Sequence, residues 1–219
     1  MEIQNMLENI RVNTQSSIRI AAPEGIVYLD PLEIGDAPHD ADFILITHNH
    51  GDHFSPSDIR KAAGADTVLV VPQKMEKQAQ ALRGVVGSIV TVRPGEALTV
   101  KGLALETVPA YNNIKPFHPQ SAGWVGYILI TDGIRIYAAG DTDATKDNRQ
   151  VRCDIAMVPI GGTFTMNAKK SGELMGEMRP AVAIPIHYGS IVGSAADAKT
   201  FAKLTEPGIR VELKLGNPV

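Results

Sequence analysis

Cysteine occurs once in the 219-residue chain, at Cys153. One thiol excludes an intramolecular disulfide and fits a reducing compartment, with the cytoplasm as the default. Just before the apolar run Ile155 to Ile160, Cys153 reads as a buried small hydrophobe, not a reactive thiol. Basic residues never concentrate. The densest stretch is Lys169-Lys170 and the formal charge is −3, so no surface is expected to neutralise a phosphate backbone, and nucleic acid is not an expected partner. No apolar run approaches the 18 or so residues that span a bilayer. The opening MEIQNMLENIRVN has early acidic residues and no basic segment before an apolar core, so it does not read as a secretory signal.

What remains is ordinary for a globular chain: 44% hydrophobic and 21% charged residues, with no linker or low-complexity tract. The length suits one domain over 1–219 that buries roughly 70% of its unfolded surface, and the apolar content is compatible with a homo-oligomer. Ser17 to Ala21, Ile26 to Leu29 and Phe43 to Thr47 read as strands, the last apolar throughout, as a strand covered on both faces should be. Ser55, Pro56 and Asp58 signal a helix start, and that helix should stop near Gly64. Thr67 to Val71 predicts a strand, Gln73 to Leu82 a helix and Ser88 to Val92 a strand. Leu98 to Val100 and Leu103 to Val108 form an expected hairpin at Lys101-Gly102; Trp124 to Thr131 and Ile134 to Ala139 form another at Asp132-Gly133, of type I′. Strand Asp154 to Ile160, helix Ala168 to Met178, strand Ala181 to Ile186, helix Ala195 to Leu204 and strand Ile209 to Leu213 complete the chain. The expected α/β (α+β) architecture is two mainly antiparallel sheets face to face with helices outside.

The polar clusters fall at strand ends. ITHNHGDHF, positions 46 to 54, holds three of the six histidines. Asn112, Asn113 and His118 follow a second strand, Asp141 a third and His187 a fourth. Alternate residues leaving a strand point the same way, so His48 and His50 can reach one cation, while a turn at Gly51 lets Asp52 and His53 fold back toward a second. Imidazole with carboxylate suits Zn2+, and also iron, manganese or nickel. Two such ions about 3.5–4 Å apart can share a hydroxide that is nucleophilic at neutral pH.

Thr47 to His53 resembles the His-x-His-x-Asp-His signature of the metallo-β-lactamase superfamily, Ala139 to Thr142 its later aspartate motif and Pro185 to Tyr188 its final histidine motif. The likeness runs from Leu29-Asp30-Pro31 to Tyr188, including Pro159 to Met166. It is greatest to a compact branch of metal-dependent hydrolases that includes the ascorbate-6-phosphate lactonases and the N-acylphosphatidylethanolamine phospholipase D type. The resemblance implies a four-layer αββα sandwich. It implies that His48 and His50 ligate one metal, that Asp52, His53 and His187 ligate the second, and that Asp141 bridges. The sequence departs from the family where the third histidine of the first site would stand, which reads Ala110-Tyr111-Asn112-Asn113. His118 is the preferred ligand there, since an amide oxygen is a poor zinc ligand beside imidazole, and Asn112 is the alternative. His118 has two further readings: contact with substrate, or proton donation to a leaving group.

Asp30 reads either as a partner orienting a ligating histidine or as the start of a turn. Tyr188 reads as a donor to substrate or as core, and Trp124 as core or pocket wall. Gly161-Gly162-Thr163 permits a tight turn or a close approach to substrate, and His39 is expected in solvated loop. The expected activity is hydrolysis of a small-molecule ester, lactone or phosphoester, with Asp52 holding the nucleophile or accepting its proton and a small anionic metabolite or lactone as the leading substrate. The alternative is a non-catalytic or regulatory metal-binding protein with a degenerate first site.

Overall fold

The structure, a computed structural model, describes residues 2–216. Strands β1 (Ile10–Val12), β2 (Ile18–Ala22), β3 (Gly25–Leu29), β4 (Ala41–Leu45), β5 (Ala63–Pro72) and β6 (Ser88–Val92) form one sheet in sequence order. The other sheet runs in order β13-β12-β11-β10-β9-β8-β7. Its strands are β7 (Ala97–Val100), β8 (Leu103–Pro109), β9 (Val125–Thr131), β10 (Ile134–Ala138), β11 (Ile155–Pro159), β12 (Val182–Ile186) and β13 (Arg210–Val211).

The expectation of mainly antiparallel sheets is corrected. β3 through β6 pair in parallel, as do β10 through β13. The apolar runs that suggested strands covered on both faces are the central parallel ones: Phe43, Ile44 and Leu45 are buried, as is every residue of β11 and β12. A parallel sheet needs crossovers, and the helices supply cover on its outer face.

Three apolar clusters give the layers. Between the sheets lie Leu29, Phe43, Leu45 and Val70 of the first against Leu105, Tyr127, Leu129 and Met157 of the second. Helix α2 (Pro56–Ala62) places Ile59 and Ala62 over the outer face of the first sheet, beside Ile44, Leu69 and Val71. On the second sheet, Leu174 and Met175 of α4 (Ala168–Met178) and Phe201 of α5 (Ala195–Leu204) cover Tyr137, Ala156 and Val158. The helix boundaries follow local chemistry. Ser55 accepts from the Asp58 amide and Asn167 from the Lys170 amide at the two N-termini, and Arg179 ends α4 in the left-handed region at φ +53°.

Both predicted hairpins form; Asp132-Gly133, predicted as type I′, has the positive φ pair of that type at +48° and +77°, and Lys101-Gly102 has one too at +44° and +90°. The predicted helix over Gln73 to Leu82 is instead a 3-10 turn, the four-residue α3 (Glu76–Ala79) and a second 3-10 turn. The tighter winding still brings Met75, Ala79 and Leu82 onto the first sheet. Helix α1 (Ile3–Glu8) and β1 were not legible: α1 is six residues with no side-chain cap, yet Met6 and Leu7 enter the inter-sheet core. Among the described residues, no helix is long and apolar enough to cross a membrane.

Two buried hydrogen bonds tie the sheets at the functional end: the Val125 amide donates to the Thr47 carbonyl at 3.2 Å, and the Tyr127 hydroxyl of β9 donates to the Ile46 carbonyl at 2.8 Å, just past β4. Tyr127→Phe leaves that acceptor buried without its partner and is expected to cost about 1–3 kcal/mol, read as a lower urea midpoint with unchanged slope.

Candidate metal centre

Strands β3 and β4 of one sheet and β8, β10 and β12 of the other all end at the same edge of the sandwich, and each delivers polar side chains there. His48, His50, Asp52 and His53 leave β4, His118 comes from the loop after β8, Asp141 from β10 and His187 from β12. The ligating atoms of His48, His50 and His118 lie within 4.8 Å of one another, and so do those of Asp52, His53 and His187. Asp141 stands between the groups. One of its oxygens is 3.2 Å from His187 Nε2, 3.3 Å from His118 Nε2 and 4.0 Å from His48 Nε2, and the other is 3.3 Å from His53 Nε2.

The turn at 50–53 is not glycine's doing, which corrects the sequence argument. Gly51 does not have positive φ, and a Cβ there would meet nothing within 4 Å. The turn closes because the amides of His53 and Phe54 both donate to the His50 carbonyl, at 3.0 and 2.8 Å. Glycine matters instead at Gly140 and Gly161. At Gly140 (φ +63°) a Cβ would lie 3.0 Å from Thr47, and at Gly161 it would lie 2.5 Å from the His187 carbonyl oxygen.

Three of the buried imidazoles, those of His48, His53 and His118, are oriented through their other nitrogen. Asp30 is buried at the end of β3, where it accepts from the Thr47 amide (2.8 Å) and hydroxyl (2.6 Å) and faces His53 Nδ1 at 2.7 Å. Because its own hydrogen goes to Asp30, the Thr47 hydroxyl is left to accept from His48 Nδ1 at 3.0 Å. Asn112 Oδ1 accepts from His118 Nδ1 (3.0 Å) and from the His118 amide (3.1 Å), while its Nδ2 donates to the Phe164 carbonyl. The Asn112 amide is therefore spent on orienting His118 and on Phe164, and neither Asn112 nor Tyr188 lines the pocket beside the centre. Tyr188 packs in the apolar cluster under α4 and α5, which agrees with the core alternative of its two readings.

His187 itself has φ +57° and Asp30 φ +43°, both in the left-handed region that non-glycine residues avoid. The Gln15 carbonyl accepts the His187 amide at 2.9 Å and helps to hold that geometry. Trp124 is half-buried with its ring 4.9–5.6 Å from those of His48, His50 and His118, so it is a wall of the site. His39 lies elsewhere, its Nδ1 against the Ala63 carbonyl. Burial pushes the Cys153 thiol up to about 12, in keeping with an inert side chain. Residues that sequence reasoning passed over are Thr47, directly before the first histidine, and Asp143, two residues past Asp141, which accepts from the Asn113 amide at 3.0 Å.

The donor set suits a cation. His53 Nε2, His118 Nε2, His187 Nε2 and Asp141 Oδ1 are buried and have no hydrogen-bond partner although they converge, whereas buried polar atoms otherwise pair. Burial and the neighbouring His53 hold the His48 imidazole well below its ordinary pKa, so it is a neutral donor. Burial opposes charge on His53 too, but Asp141 and Asp30 outweigh it and raise that group well above the ordinary value. His187 likewise rises from 6.5 to about 9 against the cost of burial, through Asp141 and Asp52.

An αββα sandwich with histidines and carboxylates gathered at the strand ends defines the metallo-β-lactamase class of fold. A structure from Parabacteroides distasonis superposes with TM-score 0.80 at 28% identity, covering 94% of this chain and 91% of its own. Igni18, a metallo hydrolase from Ignicoccus hospitalis, superposes with TM-score 0.73 at 19% identity over 95% of each chain. The chain belongs to the beta-lactamase superfamily, whose domain model matches residues 9–187. It is 32% identical over 179 residues, 75% of each chain, to a UPF0173 metal-dependent hydrolase of Thermococcus onnurineus, and 30% identical over 189 residues, 82% and 80%, to one of Methanopyrus kandleri.

A cation entering this set must displace the protons on His187 and His53. With its pKa raised, protonated His187 contributes stability to the metal-stripped protein that is complete below pH 6.5 and lost as pH rises through about 9. Affinity for a divalent cation is expected to climb across that same window, as measured by competition with a chelator at its two ends. An affinity independent of pH there would contradict the assignment.

Proposed function

We propose that the chain is a hydrolase that holds two divalent ions, most simply Zn2+. His48, His50 and His118 would hold one; Asp52, His53 and His187 would hold the other; Asp141 would serve both. The observation that carries this reading is the buried Asp141 carboxylate, within 3.2–4.0 Å of four imidazole nitrogens from three separate strands. Such ions supply Lewis acidity and make water acidic enough to act as a nucleophile near neutral pH.

The chain's own groups then divide the work. Asp30, Thr47 and Asn112 fix the imidazoles of His53, His48 and His118 by their outer nitrogens, so that the inner ones present lone pairs. His118 Nδ1 is committed to Asn112, and its buried, unpartnered Nε2 faces the other imidazoles 3.3 Å from Asp141, which favours ligation over proton donation to a leaving group. Asp52, with its side chain 21% exposed and part of the pocket lining, is placed to orient the attacking water and accept its proton. Because His50, Asp52, His118 and Asp141 all line an open pocket, a substrate reaches the centre, which argues against a closed, purely structural site.

Fold alone does not choose between hydrolysis and oxidation, since CmlA, a diiron β-hydroxylase from Streptomyces venezuelae, shares it at TM-score 0.73 and 14% identity. Ester turnover that persists without oxygen separates the two. The test of the centre is elemental mass spectrometry on protein purified without chelator, with about two ions per chain expected. His118→Ala should lose one ion and turnover together, by more than the roughly 10–100-fold in metal affinity expected from Asn112→Ala. One ion or none in the wild type, unchanged by His118→Ala, would overturn the reading.

A further inference from the structure

Beside the centre lies a pocket of about 180 Å³, whose polar lining is His50, Asp52, His118 and Asp141. The rest of the lining is hydrocarbon: Phe117, Phe164 and Ile191. Phe117 and Phe164 meet edge to face at 4.8 Å, and Phe117 and Ile191 remain 41% and 57% exposed. Phe117 and Ile191 are thus left exposed, with Phe164 half-buried, beside a cluster of acids and imidazoles, a placement the fold itself does not require.

No lysine or arginine lines this pocket. Lys115, on the Phe117 loop, is committed elsewhere: its ammonium donates to the Gly162 carbonyl at 2.9 Å and to the Thr165 carbonyl, and pairs with Asp143 at 3.5 Å. An anionic substituent beyond the reacting bond would lose its hydration against three apolar side chains with no cation of the chain to receive it. The volume is well below the ~300–1,000 Å³ of drug-sized sites, so it suits a short chain or single ring.

We propose that the substrate is a neutral carboxylic ester or lactone with a short apolar acyl group, and that Phe117, Phe164 and Ile191 set this specificity. The assignment rests on the hydrolytic reading above. Water adds across the acyl carbon–oxygen bond: its oxygen bonds to the acyl carbon, the ester bond breaks, and a proton passes to the departing alkoxide, giving an acid and an alcohol.

The test uses the full metal-loaded chain and p-nitrophenyl acetate, butyrate and hexanoate beside p-nitrophenyl phosphate. The expected kcat/KM rises about fourfold per added methylene until the pocket is filled, and the phosphate ester stays below the butyrate. Ile191→Ser, on an exposed loop where folding is not at stake, should flatten the gradient with metal content unchanged, and Phe164→Ala should do the same. The second readout needs no turnover: binding of acetate, butyrate and hexanoate, followed by calorimetry and by Trp124 emission, should show the same gradient and the same loss in Ile191→Ser. Turnover with a flat gradient, or with the phosphate ester preferred, would overturn the substrate class and leave the hydrolase standing. A binding gradient without cleavage of any ester would support the apolar specificity and remove the hydrolase.

Discussion

Asp141 is a carboxylate buried at the junction of two sheets, and the surrounding structure answers the cost of putting it there. Burial alone would drive its proton back on, yet His53 and His187 hold it well below the usual carboxylate range. That requires imidazoles from β4 and β12 to converge on one point, which only a sandwich with both strand ends at the same edge permits. Gly140 lets the chain turn back tightly against Thr47, and Thr47 in turn joins Asp30 to His48. The sheets are thereby fastened where their charges meet as well as through apolar contact between them.

The same edge stores backbone strain. His187 and Asp30 both sit at positive φ, each worth about 1–3 kcal/mol, and both project functional side chains. Neighbouring structure leaves them little choice: the His187 amide is claimed by Gln15, and its carbonyl presses so close to Gly161 that no side chain fits there. Gly161 thus serves the position of His187, whereas the sequence suggested a turn or an approach to substrate.

How much could be read from the chain differs by level. Helices α4 and α5 fall on the predicted residues, because apolar spacing bounded by polar caps is a local signal. The two glycine hairpins were legible for the same reason. Parallel pairing was not, since an apolar run reads alike in either orientation and direction is set by the crossover. Of the site, the residue types were legible from the strand ends and their spacing. Their division of labour was not: Asn112 looked like a rival to His118, and only the folded loop brings its oxygen onto His118 Nδ1. Gly51 looked necessary because glycine sits in so many turns, yet a backbone pair of hydrogen bonds does that work here.

The anionic metabolite favoured by the sequence meets its difficulty at Lys115. Lys115 is three residues before the site histidine His118, and an ammonium there would be a natural phosphate partner if it faced the pocket. In the fold, that ammonium is drawn down onto the carbonyls of Gly162 and Thr165 and the Asp143 carboxylate, where it ties the His118 loop to the turn after β11. Its charge is spent on holding His118 and Phe117 in place, and the side chain that reaches the pocket is Phe117. The one lysine on this loop is architecture, and the surface that it supports beside the pocket is apolar.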